Sequence, residues 1–353
     1  MFNRKNISKL LLVGSLTATM LVTGCGGDSK PAAGSKPAES KQVVVYNSPP
    51  EWANWGEALK KFSVKTGIQA TPDNKNSGQT VTALIAEKAK PGADVAYLGI
   101  TFGYEAVNKD LLTGYKPQGF DEIPNDLKDP EGRWMTIHYG AIAFVVNTDA
   151  LGKTPVPKSW ADLLKPEYKG KIAFLDPTSA AVGYSVAVAA NLAMGGTLDN
   201  WEPGFKYFKE LEKQGVEHPK QTATPRVIKG EIPILIDADF NGYRPKIREG
   251  APLEIVIPAE GSLKMPYVIG MVKGAPRSDA GKKLMDYVLS DEGQKIWAGG
   301  FVQPIRKGMV PPEIAKQMLP ASEYERTKSV DFLKMQQVQK AFTDRWQAEI
   351  VSK

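Results

Sequence analysis

The pattern of apolar and polar positions alternates between two periods along most of the chain. Short runs rich in valine, isoleucine and aromatic residues predict strands, and apolar positions recurring every three or four residues predict helices. The predicted strands lie at residues 43–46, 94–98, 141–146, 171–175, 232–236, 253–257 and 267–272. The predicted helices begin near Trp52, Ser77, Ser159, Ala180, Thr224, Phe240, Ser278, Asp291 and Val330. Strands alternating with helices indicate an α/β protein with parallel sheets covered on both faces.

The first 25 residues have the pattern of an export signal. Arg4, Lys5 and Lys9 make a basic start, and the apolar run at residues 10–22 is shorter than the ~20 residues that a membrane-spanning helix needs. Cys25 ends this segment and is the one cysteine of the chain. Residues 1–24 are therefore predicted to be a signal peptide. A lone cysteine also leaves the folded part without an internal disulfide.

Thr23 and Gly24, directly before Cys25, resemble the lipobox of bacterial lipoproteins. The resemblance implies that the signal is cut before Cys25 and that its thiol carries a diacyl lipid. Residues 25–41 are rich in glycine, serine, proline, lysine and alanine, which predicts a flexible tether. The folded part is expected to begin near Gln42, and its length of about 310 residues favours two lobes.

Charge and motifs argue against two classes of function. The formal net charge of +6 includes the basic signal and tether, and we find no basic repeat with interleaved aromatic residues that would indicate nucleic-acid binding. The histidines, His138 and His218, lie outside His-Glu-x-x-His motifs, and the chain has no Gly-x-Ser-x-Gly. We therefore expect no enzyme activity, no cofactor and no bound metal. A hydrolase based on carboxylates is the alternative from the enzyme class.

A series of short segments keeps a fixed order along the chain. They include Val45-Tyr46-Asn47-Ser48 and Lys158-Ser159-Trp160-Ala161-Asp162, with others at residues 65–68, 93–95, 140–148, 163–172, 250–253, 256–261 and 273–276. Together, over about residues 43–297, they resemble the solute-binding proteins of bacterial ABC importers. The resemblance is to the two-lobe class that includes ferric-iron, phosphonate and polyamine binders.

The resemblance implies a two-lobe periplasmic-binding-protein-like α/β fold. Each lobe would be a mostly parallel sheet flanked by helices, with two crossover strands at the hinge. Lobe 1 would comprise residues 42–139 and 265–353 with the C-terminal helices, and lobe 2 residues 140–264. Ligand would lie in the cleft between the lobes, and closure would be the signal that a permease recognises.

Loops that follow strands and begin helices are the first candidate ligand contacts, because open parallel sheets bind ligands at the carboxyl ends of their strands. The first-lobe candidates are Asn47, Ser48, Ser77, Gly78, Gln79, Gly99 and Thr101. The second-lobe candidates are Thr178, Ser179, Ala180 and, one turn further on, Tyr184. Such helix starts would offer backbone N–H groups to one anion. Ser77 and Thr178 could instead be helix caps only.

An acidic segment after the strand at residues 232–236 is the second candidate. Asp237, Asp239 and Tyr243 supply hard oxygen ligands, although the ferric-iron branch carries a pair of adjacent tyrosines where this chain has Gly242-Tyr243. The two aspartates could instead cap the helix near Phe240. Arg244 is the one arginine within the candidate loops.

Four aromatic residues are the remaining candidate ligand contacts. Trp52 and Trp55 could stack on a ligand, but their helical spacing with Leu59 favours core packing. Tyr139 and Tyr267 lie at the expected crossings and could line the cleft or pack there.

We therefore expect a monomeric, lipid-anchored solute-binding protein that faces the outside of the cell membrane and delivers its ligand to an ABC permease and ATPase. The favoured ligand is a small oxyanion such as a phosphonate, phosphate ester or carboxylate, because helix starts supply uncharged donors. A polyamine and ferric iron are the alternative ligands. A lipid-anchored receptor for a sensor would use the same cleft.

Overall fold

The computed structural model describes residues 40–352. The predicted signal peptide, Cys25 and all but the last two residues of the tether lie outside the described residues. The strands are β1 Gln42–Tyr46, β2 Gln69–Thr71, β3 Val95–Gly99, β4 Leu112–Thr113, β5 Met135–Asn147, β6 Ile172–Phe174, β7 Ile234–Ala238, β8 Leu253–Val256, β9 Ser262–Val272, β10 Gln303–Pro304 and β11 Thr327–Lys328.

Helices cover both faces of the sheet. They are α1 Trp55–Thr66, α2 Ser77–Ala86, α3 Ile100–Asn108, α4 Thr148–Leu151, α5 Ala181–Ala193, α6 Glu202–Glu212, α7 Thr224–Ile228, α8 Phe240–Arg248, α9 Ser278–Leu289, α10 Asp291–Gly299, α11 Pro312–Ala315, α12 Ala321–Tyr324 and α13 Phe332–Trp346. None of the helices in the described part of the chain has the length and apolar character to cross a membrane.

The strands form one mixed sheet in the order β2-β1-β3-β9-β5-β7-β6. Strands that are joined through helices pair in parallel, as expected: β1 with β2 and β3, and β6 with β7. The long strands β5 and β9 instead run antiparallel to each other and to their neighbours β3 and β7. These two strands carry the chain out of one half of the molecule and back, which requires opposite directions.

Strand β5 belongs to both halves of the molecule. Its first part, up to Ala141, pairs with β9, whereas Ile142 to Asn147 pair with β7 and β8. We call the half around β1, β2 and β3 the first lobe and the half around β6, β7 and β8 the second lobe. The strands β5 and β9 therefore connect the lobes at the centre of the sheet.

Aromatic residues fill the core of each lobe. Trp55 is fully buried and packs edge-on against Tyr97 and Trp297, with ring centroids 5.1 and 5.0 Å apart, so it is a core residue of the first lobe. In the second lobe Trp160 packs edge-on against Phe144 at 5.1 Å.

The C-terminal helix α13 packs against both lobes. Phe342 and Trp346 contact the aromatic rings of α6, and the hydroxyl of Tyr184 in α5 donates to the carbonyl oxygen of Met335 at 2.7 Å. The helix thus lies against elements of both lobes, α3 in the first and α5 and α6 in the second. The contact depends on aromatic residues of α5 and α6 that are far from α13 in sequence.

The prediction of a helix beginning at Ser159 is wrong, because the segment makes two short 3₁₀ turns, Asp162–Leu164 and Pro166–Tyr168. The reciprocal capping bonds are present: the Asp162 amide donates to Ser159 Oγ, and Asp162 Oδ2 accepts from the Ser159 amide, each at 3.0 Å. Pro166 follows within one turn and lacks the N–H that a longer helix would need, and Lys165 before it is extended.

Candidate ligand-binding site

A cavity of about 260 Å³ lies between the two lobes, at the carboxyl ends of the first-lobe strands. It is bounded by residues of both lobes and by Tyr267 of the connecting strand β9. From the first lobe these are Asn47, Pro49, Glu51, Trp52, Asn74, Lys75, Asn76 and Ser77; from the second, Leu175, Ala180, Ala181, Val182, Gln221, Thr222 and Pro225. Its size suits a small solute.

The N-terminus of α5 forms the second-lobe wall. The residue before this 13-residue helix is Ala180, which has no side-chain oxygen to cap the first N–H groups. The N–H groups of Ala181 and Val182 therefore have no acceptor within the helix, and both residues line the cavity. The positive end of the helix dipole adds to their attraction for an anion.

Ser77 faces α5 from the first lobe. Its Oγ accepts hydrogen bonds from the Gly99 amide at 3.1 Å and from Asn47 Nδ2 at 3.3 Å. Neither bond uses the hydroxyl hydrogen, which is left to donate to a ligand. The cap of α2 is Asn76, whose Oδ1 accepts from the Gln79 amide at 2.8 Å, so Ser77 is not the helix cap.

Lys75 brings a positive charge to the cavity wall. Its ammonium group lies 2.7 Å from Asp73 Oδ2 and 4.1 Å from the centre of the Tyr46 ring. The ion pair fixes the position of Lys75 without using all three of its N–H donors.

The wall near the hinge is aromatic and neutral. Tyr267 stacks on Tyr97 with ring centroids 4.9 Å apart, and Trp52 Nε1 donates to the Tyr97 hydroxyl at 3.1 Å. That hydroxyl lies 2.9 Å from Nε2 of His138. Full burial lowers the pKa of His138 to about 3, so its ring is uncharged at neutral pH. This wall can therefore pack against an apolar part of a ligand.

Several predicted contacts lie at the rim, where the lobes touch. The Gly78 amide donates to the carbonyl oxygen of Ser179 at 3.1 Å, and Gln221 Nε2 donates to Gln79 Oε1 at 3.1 Å. Thr178 donates through its hydroxyl to Asp176 at 2.7 Å, beside this rim. These residues join the lobes on the outer side of the cavity.

Other predicted contacts have structural partners. Ser48 is fully buried and its hydroxyl donates to the carbonyl oxygen of Val45 at 2.9 Å. Thr101 is buried in the first turn of α3, and Tyr184 is held by Met335 of α13. Tyr139 follows His138 on β5 and points to the opposite face, under the Lys264 ammonium at 4.9 Å.

The acidic segment is buried away from the cavity wall. Asp239 Oδ1 accepts from the Ala141 amide at 2.9 Å, and Oδ2 accepts from the Tyr324 hydroxyl at 2.7 Å. The Tyr324 and Tyr243 hydroxyl oxygens are 2.7 Å apart, and the Leu319 amide donates to Tyr243 at 3.1 Å. Asp239 and Tyr243 thus bind the C-terminal segment, residues 319–324, to the hinge strand β5.

The Asp237 carboxyl has fewer hydrogen bonds than that of Asp239. Its Oδ1 accepts from the Ala238 amide at 2.7 Å, and within the described residues Oδ2 has no hydrogen-bond partner. Burial raises the pKa of Asp237 to about 7 and that of Asp239 to about 6. We find no cluster of three or more histidine, cysteine, aspartate or glutamate side chains suited to a metal ion in residues 40–352.

The sequence predicts Asn47, Ser77 and Tyr267 of this cavity, with Trp52 and Ala180 as further possibilities. It missed Lys75, Asn76, Ala181, Val182, Gln221 and Thr222. Thr222 and Gln221 precede α7, whose Thr224-Pro225 start was predicted, so the rule for helix starts could have found them. Arg244 lies outside the cavity, in an adjoining cleft of about 880 Å³.

Residues 90–338 match the family model of the bacterial extracellular solute-binding proteins. The chain belongs to this family. It is a solute-binding protein of the ABC-importer type that acts outside the cytoplasm, and the family and its relatives are transport proteins, not enzymes.

Relatives extend over most of the chain. A protein of Haemophilus influenzae without an assigned function is 33% identical over 253 residues, which cover 68% of this chain and 71% of the relative. A proposed 2-aminoethylphosphonate-binding periplasmic protein of Salmonella paratyphi A is 30% identical over 260 residues, covering 71% of this chain and 74% of the relative.

A solved structure has a fold similar to that of this chain. The periplasmic binding protein AfuA of Actinobacillus pleuropneumoniae, with fructose-6-phosphate bound, is 27% identical with a TM-score of 0.77. The match covers 89% of this chain and all of AfuA. The two-lobe fold predicted from the sequence is thereby confirmed.

Proposed function

We propose that this protein captures a small solute bearing a phosphonate, phosphate or carboxylate group in the interlobe cavity and delivers it to a permease. The main support for the proposal is that the uncapped N-terminus of α5 and the Ser77 hydroxyl line the same cavity from opposite lobes. Backbone N–H groups at a helix start and a free hydroxyl donor bind an oxyanion without a counter-charge.

The hydrogen-bond donors of the cavity wall favour an anion over a polyamine. Lys75 is the basic residue of the wall and Glu51, an exposed side chain, is the acidic one among the described lining residues. A polyamine would need carboxylates against its ammonium groups, yet Asp237 and Asp239 are buried outside the lining. Ferric iron would need a cluster of hard anionic ligands, which the wall lacks in the described part of the chain.

The relatives point to the same chemistry. The names of the Salmonella relative and of the AfuA structure refer to 2-aminoethylphosphonate and fructose-6-phosphate, and both compounds carry a tetrahedral phosphorus oxyanion. We propose that the ligand of this protein shares that group, and that the aromatic wall of Trp52 and Tyr267 contacts its organic part.

We further propose that Cys25 anchors the protein through a lipid on the outer face of the cell membrane. The basic start, the short apolar run and the small residues before this single cysteine support the anchor. A tether of residues 25–41 would let the folded part reach a permease in the same membrane.

Isothermal titration calorimetry tests the ligand class. The purified folded part would be titrated with 2-aminoethylphosphonate, fructose 6-phosphate, inorganic phosphate, putrescine and ferric citrate. We expect binding of at least one of the phosphorus oxyanions and no binding of putrescine. Binding of putrescine or ferric citrate alone would overturn the proposal.

A further inference from the structure

Two glycines of the first lobe lie directly against the second lobe. Gly78, in the first turn of α2, donates its amide to the carbonyl oxygen of Ser179 at 3.1 Å. Gly99, at the end of β3, lies against Ala181, the first residue of α5. Both contacts are next to the cavity.

The contacts leave no room for a side chain. A Cβ atom on Gly78 would lie 2.5 Å from the carbonyl oxygen of Ser179, and one on Gly99 would lie 2.3 Å from Cβ of Ala181. The opposing atoms are a backbone atom and a Cβ, which cannot rotate away. Neither glycine has a positive φ, so local backbone conformation does not require glycine at either position.

The same contacts set the geometry of the proposed anion site. Gly99 donates its amide to Ser77 Oγ and packs on Ala181, so one residue touches both halves of the site. A shift of α5 away from Gly99 would move the Ala181 and Val182 N–H groups away from the Ser77 hydroxyl.

We propose that Gly78 and Gly99 are the positioning residues that permit lobe closure. Their missing side chains let the lobes approach until the α5 N-terminus and Ser77 reach the same solute. With alanine at either position, each lobe keeps its fold but the closed arrangement is excluded. This inference rests on the interlobe capture proposed above, and it does not depend on which solute is captured.

Rim residues provide a probe for closure. The side chains of Gln79 and Gln221 meet across the lobes at 3.1 Å, so cysteines at these positions approach each other only when the rim is closed. In a Cys25→Ser background, the pair Gln79→Cys with Gln221→Cys would be joined by a short bismaleimide. The rate of cross-linking without added solute measures how often the lobes close.

The test adds Gly78→Ala or Gly99→Ala to this cross-linking protein. Gly299→Ala is the matched control, because its Cβ would meet only Asn54 Nδ2 of the same lobe at an ordinary 3.9 Å. We expect each of the first two variants to lower the cross-linking rate about ten-fold or more, and the control to leave it unchanged. Melting temperatures near that of the parent protein would show that the lobes remain folded.

An unchanged rate in Gly78→Ala and Gly99→Ala, or an equal fall in Gly299→Ala, would overturn the inference. Since the cross-linking needs no ligand, its result is independent of the titrations above. Failure of every phosphorus oxyanion to bind would reject the proposed ligand class and leave the closure result standing.

Discussion

The loops at the helix starts and the acidic segment at the end of β7 both lie at the carboxyl ends of strands, yet their surroundings differ. Ser77 and Ala181 line the cavity with unused hydrogen-bond donors. Asp239 and Tyr243 are buried and bonded to Tyr324 and Leu319 of the C-terminal segment. A position at the carboxyl end of a strand therefore identifies candidate ligand contacts. Whether such a residue can contact a ligand depends on whether another part of the chain already occupies its hydrogen-bonding groups.

The largest expected effect concerns Asp237, because its pKa is raised to about 7 by burial. The folded state holds this proton while the unfolded chain, with a pKa of about 3.9, releases it. Asp237 therefore lowers the free energy of unfolding as pH rises from about 4 to 7, by an amount on the order of a few kcal/mol. We expect Asp237→Asn to flatten this pH dependence in urea unfolding and to leave oxyanion affinity nearly unchanged.

Asp239 contributes in the same direction, with a pKa raised to about 6, so some slope would remain in Asp237→Asn. A variant whose unfolding retains the full parental pH dependence would show that Asp237 titrates normally. Loss of oxyanion binding in Asp237→Asn, with or without Asp239→Asn, would instead place the acidic segment in the site.

Ser77→Ala tests the other region. It removes the hydroxyl that we expect to donate to the ligand, and a hydrogen bond to a charged group contributes about 1.5–3 kcal/mol. Calorimetry should show oxyanion affinity lower by about ten- to a hundredfold. Ser179→Ala is the control, because Ser179 contacts Gly78 through its backbone carbonyl. Equal losses in both variants would contradict the assignment of Ser77 to the ligand.

Tyr324→Phe removes the hydrogen bond to Asp239 and leaves a buried carboxylate oxygen without its donor. We expect the free energy of unfolding to fall by about 1–3 kcal/mol, while oxyanion affinity changes little. Tyr139→Phe provides the comparison, since the Tyr139 ring lines the same crevice behind the hinge as Tyr324. The free energies of unfolding of the two variants, measured by urea unfolding, should differ by at least about 1 kcal/mol.

The strands and helices could largely be predicted from the sequence because their periodicity is local. The roles of Tyr184 and Asp239 could not, because they depend on Met335 and Tyr324, which lie 151 and 85 positions away. Ala181 and Val182 would bind the ligand through backbone N–H groups, and these leave no signal in the residue types. Ala180 at the cap position of α5, where serine or aspartate is usual, was the one clue.

The smallest effect on binding is expected for Cys25→Ser. We predict release of the protein from the membrane with unchanged oxyanion affinity, because Cys25 is not among the described residues that line the cavity. Membrane fractionation followed by calorimetry checks both parts. A loss of affinity in the released protein would show that the lipid or its membrane contributes to binding.

A crystal structure of the folded part with a bound phosphonate that calorimetry has shown to bind would locate the anion site directly. We predict phosphonate oxygens within about 3.2 Å of the Ala181 and Val182 amides and of Ser77 Oγ. A phosphonate seated instead beside Arg244 in the adjoining cleft, or against Asp237, would contradict it.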